Sequence, residues 1–367
     1  MLFPGAARSA RLEGLKQGHI PEDFFYGYPH LSEAGYDVQL IDTRKDPHRL
    51  YGKFILWSQY CISRMVGFGF NTARVSAVVQ DMRSVNVAVS FTDAFSLSMG
   101  FCKTKDSSLP MLIGGFHGLA DLEAFAKPIF RPLIRRLIRK SLSGLDHIFF
   151  FGPGDRERAC DMYSLDVSKT SLFQFGIDLE FWCPNDHPLA SDGVLAVGSD
   201  AKRDYGTLIN APVSENINIV TSLNLEHFPR RENVKIFKGS WEGARITDLV
   251  LRDMYRRSMV VAVPLLNVWQ PSGYSVTLQA MACGKPVILS DIKGLWDRDV
   301  FRSGVNCILV KPGDSQAFGR AISRLRDDEV LREAMGVAAR ETATKVFGLH
   351  RMEAGLRALV DMDLDTL

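Results

Sequence analysis

No apolar run in this 367-residue chain approaches the 18–20 residues of a membrane span, and the amino terminus lacks the basic-then-apolar order of a signal peptide. The six cysteines (Cys61, Cys102, Cys160, Cys183, Cys283, Cys307) show no CxxC spacing, which excludes a disulfide framework and a thiolate zinc site and leaves buried thiols of a reducing compartment. These absences predict a cytoplasmic protein. A net charge of only +2 gives no reason to expect nucleic acid as a partner. No internal repeat or low-complexity tract is present, and 46% hydrophobic with 23% charged residues is an ordinary globular composition.

The length exceeds what one core usually covers, so two domains are expected. Short apolar runs separated by amphipathic stretches occur in both halves: 36–41, 85–90, 110–115 and 147–151, then 193–198, 217–221, 234–237, 259–264 and 286–289. Such spacing predicts parallel sheets with crossover helices, a doubly wound α/β domain in each half, with ligand sites at the carboxyl ends of the strands. The turn-rich stretch 184–188, with two prolines, marks the boundary. Helices are expected over 315–346 and 349–364 as scaffold. The charge is uneven: 21 basic against 17 acidic residues precede Gly176, and 23 against 25 follow from there.

One segment says most about function, Gln270-Pro271-Ser272-Gly273-Tyr274-Ser275-Val276-Thr277-Leu278-Gln279-Ala280-Met281-Ala282-Cys283-Gly284-Lys285-Pro286-Val287-Ile288. It reads as a glycine turn opening a helix that closes into a strand, with Ser275 as N-cap. The first N–H groups of a helix lack internal partners and carry the positive end of its dipole, so this turn can accept a phosphate. An ordinary α/β crossover has the same pattern. No acidic residue lies between Asp253 and Asp291, which suits a dianionic ligand.

Three further segments stand in order with it: Gly176-Ile177-Asp178-Leu179-Glu180-Phe181-Trp182-Cys183-Pro184, the loop from Val197 to Ile209 containing Lys202 and Arg203, and Gly304-Val305-Asn306-Cys307-Ile308-Leu309-Val310-Lys311-Pro312-Gly313-Asp314. Together they resemble the GT-B glycosyltransferases of the family-4-like group, glycosyl transferases group 1. The resemblance implies two Rossmann-like domains facing across a cleft: an acceptor-side domain over 1–184, a donor domain over 185–345, and a C-terminal helix over 346–367 packing back toward the first. It implies transfer of a sugar from a nucleoside-diphosphate sugar to a hydroxyl, with no cofactor and no metal, because basic side chains and a helix N-terminus neutralise the leaving diphosphate. The acceptor is expected to be lipid-linked or a saccharide, as in polysaccharide or glycolipid synthesis. The donor ligands it implies are Gly198, Lys202, Arg203, Lys238, Ser272, Gly273, Tyr274, Ser275 and Gln279, with Arg203 on the diphosphate, Gln279 on the ribose and segment 304–314 as a hairpin. The family carries two glutamates eight positions apart here, whereas this chain has Gln279 at the second position and Pro271 at or near the first. A non-catalytic relative that binds a nucleotide sugar or a partner is therefore the alternative; an epimerase would need an acid–base pair that has no place here. The abrupt start at Met1 leaves little room for a first strand.

His117, flanked by glycine and phenylalanine after the run 110–115, is the catalytic candidate, since an imidazole exchanges protons near neutral pH; a capping or core histidine fits the same setting. Arg8 in the first glycine-containing loop is a weaker donor candidate. Residues 127–140 interleave Ile, Phe and Leu with Lys127, Arg131, Arg135, Arg136, Arg139 and Lys140 and contain no acid. This reads as a basic amphipathic helix at the inner membrane surface, or as a domain helix with solvated arginines.

Overall fold

The computed structural model describes residues 1–3, 8, 11–42, 70–185, 187, 190–239 and 246–362. Contacts divide the chain into two units: Met1–Leu12, Gly27–Phe173 and Glu353–Leu367 form the first, Glu13–Tyr26 and Gln174–Met352 the second. Cys61 and the glycine-containing loop around Gly5 lie outside the described residues.

The first unit is built on a parallel sheet in the order β2-β1-β3-β4-β5-β6, formed by β1 (Leu2–Phe3), β2 (Ile41–Asp42), β3 (Val87–Ser90), β4 (Met111–Phe116), β5 (His147–Phe150) and β6 (Thr170–Leu172). A first strand therefore exists despite the abrupt start, and it pairs with both β2 and β3. Because β1 offers only two residues, the run 36–41 yields only the two-residue strand Ile41–Asp42. Three helices matter below: α1 (Asp93–Lys103), α2 (Arg131–Leu142) and α3 (Pro153–Tyr163). The core contains Phe91, Phe95, Ile113, Phe116, Phe149 and Phe150, all fully buried.

The second unit repeats the plan with β7 (Val194–Val197), β8 (Ile217–Thr221), β9 (Val234–Lys238), β10 (Val260–Val263), β11 (Val287–Ser290) and β12 (Ile308–Val310), in the order β12-β11-β10-β7-β8-β9. Every pairing is parallel, and β7, β10 and β11 are buried along their whole length, which is why they read as unbroken apolar runs. Its helices are α4 (Tyr205–Ile209), α5 (Asp248–Arg257), α6 (Tyr274–Ala282), α7 (Ser315–Asp327), α8 (Glu329–Val346) and α9 (Leu349–Asp361), the last continuing into the first unit's residues. The helices expected over 315–346 are α7 and α8, divided where the Asp328 carboxylate accepts the Leu331 N–H at 2.9 Å and caps a new start. The expected hairpin at 304–314 is instead a strand running parallel to β11.

The expected boundary at 184 also shifts. Residues 174–184 pack with the second unit: Trp182 is fully buried edge-on to Tyr255 (5.7 Å, 89°), and Arg340 donates to the carbonyls of Leu179, Trp182 and Ala282. Of the turn at 184–188, Asp186 and Pro188 lie outside the described residues.

The second unit's core joins Leu208, Ile219, Ala262, Ile288, Phe318, Ile322 and Leu325. Phe318→Ala in this fully buried position is expected to cost about 3–5 kcal/mol, read as a lower urea midpoint; a loss under about 1 kcal/mol would exclude Phe318 from the core.

Candidate functional site

In the second unit the chain runs outward from β7 to β8 and β9, then returns to build β10, β11 and β12 on the other side, so the strand order reverses between β7 and β10. Open α/β sheets bind ligands beyond the carboxyl ends of the strands at such a reversal. The loops that leave β7 and β10 meet there. Leu266 donates its N–H to the Lys202 carbonyl (2.9 Å), Asp204 to the Pro264 carbonyl (3.0 Å), and Arg203 forms a β-bridge with Leu265.

The Arg203 guanidinium lies between two glycines in the left-handed region, Gly198 (φ 138°) and Gly273 (φ 83°). A Cβ at Gly198 would overlap Nε and Nη2 of Arg203, and one at Gly273 would stand 3.2 Å from Nη1. Nε and Nη1 are buried and make no hydrogen bond among the described residues. Most buried polar groups are satisfied, and a cation left without partners costs several kcal/mol, so this arrangement calls for an anion from outside.

Gly273, not Ser275, is the N-cap of α6, and Ser275 is the second helical residue. The Tyr274 ring turns away from the turn and stacks on Trp296 (4.3 Å, 25°), with Phe175 at 5.8 Å, and burial pushes its hydroxyl pKa up. Tyr274 and Ser275 thus offer a ligand the backbone N–H groups that open the helix. Ser272 is buried and its hydroxyl donates to Asp200, which also accepts from the Gln270 amide at 3.1 Å and the Lys202 N–H at 3.0 Å. The acid-free stretch 254–290 is therefore not acid-free in space: Asp200, on the loop after β7, reaches it. Lys202 is itself buried, 5% exposed, and belongs to the turn. Lys238 ends the edge strand β9 beside Thr221 and is exposed.

Gln279 lies inside the fold and not at the ligand surface, which corrects its assignment to the ribose. It is 4% exposed, and its Oε1 accepts the Tyr255 hydroxyl at 3.0 Å. Asp23 is fully buried and accepts the Asp178 N–H (2.6 Å) and the Trp182 indole N–H (2.7 Å). Nothing in the local sequence around Asp23 marks this role.

In the first unit, His117 follows β4 as expected. The Asp93 carboxylate accepts the N–H groups of His117 and Gly118, and Asp155 those of Leu119 and Ala120, at 2.8–3.2 Å. The imidazole stacks on Phe151 (4.0 Å, 8°), and its Nε2 lies 3.0 Å from the Phe91 carbonyl. A carbonyl only accepts, so Nε2 carries a proton and donates it to Phe91.

Residues 131–142 do form an amphipathic helix, but its arginines are not all solvated. Arg135 grips the buried Glu123 with a two-pronged contact (Nε–Oε1 2.9 Å, Nη2–Oε2 2.7 Å), Arg139 donates to the Met162 carbonyl and Ser164 hydroxyl, and Arg131 to the Ala126 carbonyl. Lys140 lies 5.9 Å above the Phe101 ring. Around Arg136 and Lys127 the surface exposes Ile129 (79%) and Leu133 (68%).

A family model for glycosyl transferases group 1 matches residues 226–328, bearing out the resemblance read from the sequence. The D-inositol 3-phosphate glycosyltransferase of Xylanimonas cellulosilytica is 28% identical over 236 residues, covering 55% of this chain and 54% of that protein. The chain thus spans about half the length of this curated relative, and less of others it matches. Among solved structures, sucrose-phosphate synthase from Thermosynechococcus elongatus is similar with a TM-score of 0.70 and 18% identity, over 94% of this chain and 92% of that one. Anabaena HepE in complex with UDP-glucose gives 0.65 and 16%, over 79% and 82%. The fold is GT-B.

Asp23 makes a pH prediction. Burial pushes its carboxyl up to about 8, outweighing the N–H donors, while the unfolded chain ionises it near 3.8. Between these values the folded state holds a proton the unfolded state has lost, so this contribution is full below about pH 4 and declines toward pH 8, by at most about 1.4 kcal/mol per pH unit. Asp23→Asn is expected to flatten the stability curve over that window in urea titrations; an unchanged slope would refute the assignment.

Proposed function

We propose that this chain, a GT-B protein of the glycosyl transferases group 1 family, moves a sugar from a nucleoside-diphosphate donor to a hydroxyl acceptor. The observation that carries this reading is Arg203, whose buried Nε and Nη1 have no partner among the described residues and stand beside the glycine turn that opens α6. A diphosphate there would be met by one cation and by aligned backbone donors, which neutralise charge as it develops on the leaving group. HepE, similar in fold, was crystallised with UDP-glucose, which favours a uridine diphosphate probe. His117, which follows β4 and is held on Phe151, is our candidate for proton exchange with a sugar or acceptor hydroxyl. A second reading, a nucleotide-sugar binder without turnover, is favoured by one observation: the amide at 279 serves the interior, and the carboxylate that reaches the turn, Asp200, is taken up by Ser272, Gln270 and the Lys202 N–H. Release of free nucleoside diphosphate from a donor panel separates the two.

Arg203→Ala is expected to weaken UDP binding by about 1.5–3 kcal/mol without lowering the melting temperature, because it deletes a buried cation that lacks internal partners. Unchanged affinity in calorimetry would sink the donor-site reading.

The acceptor side of the proposal is a lipid-linked or saccharide hydroxyl, reached at the inner membrane surface. Among the described residues no helix is long and apolar enough to cross a membrane. Exposed Ile129 and Leu133 beside Lys127 and Arg136 support surface contact: each basic residue near anionic lipid contributes about 1 kcal/mol, and each buried aliphatic side chain about 1.5–3 kcal/mol. Charge reversal at Lys127 and Arg136 with Leu133→Ser should abolish sedimentation with phosphatidylglycerol vesicles at low salt. Arg135 is unsuitable for this test, since its reversal would set two carboxylates together at Glu123. Wild-type protein that stays in the supernatant would refute the contact.

A further inference from the structure

Four neighbouring strands of the first unit each place a ring immediately beyond their carboxyl ends: Phe91 after β3, His117 after β4, Phe151 after β5 and Phe173 after β6. The three phenylalanines form one buried cluster with Phe149. Phe149 meets Phe91 at 5.3 Å, Phe151 at 5.7 Å and Phe173 at 5.1 Å, and Phe173 meets Phe91 and Phe151 at 5.7 and 5.6 Å, in tilted or edge-to-face contacts. Glycine at 115 makes the room: a Cβ there would stand 2.3 Å from Cζ of Phe149. Phe151 differs from the others in what lies on its face, since the His117 imidazole is parallel to it at 4.0 Å and 8°. The loop after β3 holds the same histidine twice more. Its Nε2 donates to the Phe91 carbonyl at 3.0 Å, and the Asp93 carboxylate accepts its backbone N–H at 3.2 Å. The N–H bond fixes where the side chain starts, the carbonyl fixes its rotation, and the Phe151 face fixes its tilt. Packed among neighbours that each sit in one rotamer, that face is a rigid wall.

We propose that Phe151 is a positioning residue for His117: its buried ring fixes the plane of the imidazole that serves the sugar or acceptor hydroxyl. This rests on the reading of His117 given above. Proton exchange requires heavy atoms within about 2.6–3.2 Å, and a misplacement of about 1 Å costs up to about a hundredfold in rate.

The test follows release of nucleoside diphosphate from the donor-panel sugar that the wild-type protein turns over fastest, with Phe151→Leu, Phe151→Tyr, His117→Ala, the double variant Phe151→Leu with His117→Ala, and Phe150→Leu. Leucine keeps an apolar side chain and removes the flat face. Phe151→Leu should lower kcat about tenfold and leave KM for the nucleotide sugar within about twofold, whereas Phe151→Tyr, which keeps the face, should stay within about threefold of wild type. His117→Ala should lower kcat by about a hundredfold or more, and adding Phe151→Leu to it should change nothing further, because the ring acts through the imidazole. Phe150→Leu is the structural control. Its ring is buried on Phe116 at 6.1 Å, so it should lower the melting temperature and leave kcat unchanged. A folded Phe151→Leu protein with wild-type kcat overturns the proposal, as does an equal loss in Phe151→Tyr or a loss that recurs in full on the His117→Ala background. If Phe151→Leu does not fold, Phe151→Met, which fills the space with a flexible chain, is read by the same criteria. Wild-type protein that releases no diphosphate, or His117→Ala protein with wild-type kcat, overturns the catalytic reading of His117 and this proposal together; an impaired His117→Ala beside an unimpaired Phe151→Leu removes this proposal alone.

Discussion

A guanidinium with two nitrogens buried and unpartnered among the described residues is the constraint around which the second unit's ligand-facing loops are arranged. Such a group persists only where its surroundings over-determine it. Arg203 is fixed through its backbone by the bridge to Leu265 and by the Asp200 carbonyl, and it is walled in by Gly198 and Gly273. Both glycines are required twice, for their positive φ and for the missing Cβ that leaves room for the cation. The carboxylate of Asp200 then joins the two loops by taking the Ser272 hydroxyl and the Gln270 amide.

Two buried carboxyl groups are handled in the opposite way. Asp23 collects its N–H donors from within its own unit, and Asp155 takes those of Leu119 and Ala120 while burial pushes its carboxyl well above the usual range. In the first unit, Asp93 and Asp155 together consume four consecutive N–H groups after β4, so that loop is closed to an external anion even though it stands at the carboxyl end of a strand. The effect there is to hold His117 on Phe151. Satisfied and unsatisfied charges thus separate scaffold from candidate ligand contact, by a criterion that residue type alone does not supply.

That criterion explains what was legible in the sequence. The buried strands β7, β10 and β11 announce themselves as apolar runs, whereas β1, β2, β6 and β12, of two or three residues, are too short for a pattern and depend on their neighbours for pairing. Gly273 and Arg203 were legible as a turn and a cation, but the contact between them was not, since seventy positions of chain separate them. Gln279 was misplaced because its partner is the Tyr255 hydroxyl, twenty-four positions earlier on α5, which turns the amide into the interior. Arg135 reads as a solvated charge in any helical pattern; only Glu123, twelve positions earlier and outside the helix, reveals it as an ion pair.

The placement of Asp200 has a consequence for how charge would be met at the donor turn. A hydroxyl that donates to a carboxylate has spent its proton, so Ser272 contributes to the turn's shape and not to an anion's binding. The Gln270 amide is engaged by the same carboxylate. What remains to face a diphosphate is the Arg203 fork and the N–H groups opening α6, donors whose directions are fixed by backbone bonds and by two glycines. Preorganised donors of this kind need no rearrangement as negative charge grows on a leaving group, which is the condition under which electrostatic stabilisation is most effective. The same rigidity makes the site depend on the register of α6, whose buried Gln279 amide accepts the Tyr255 hydroxyl of α5 from behind.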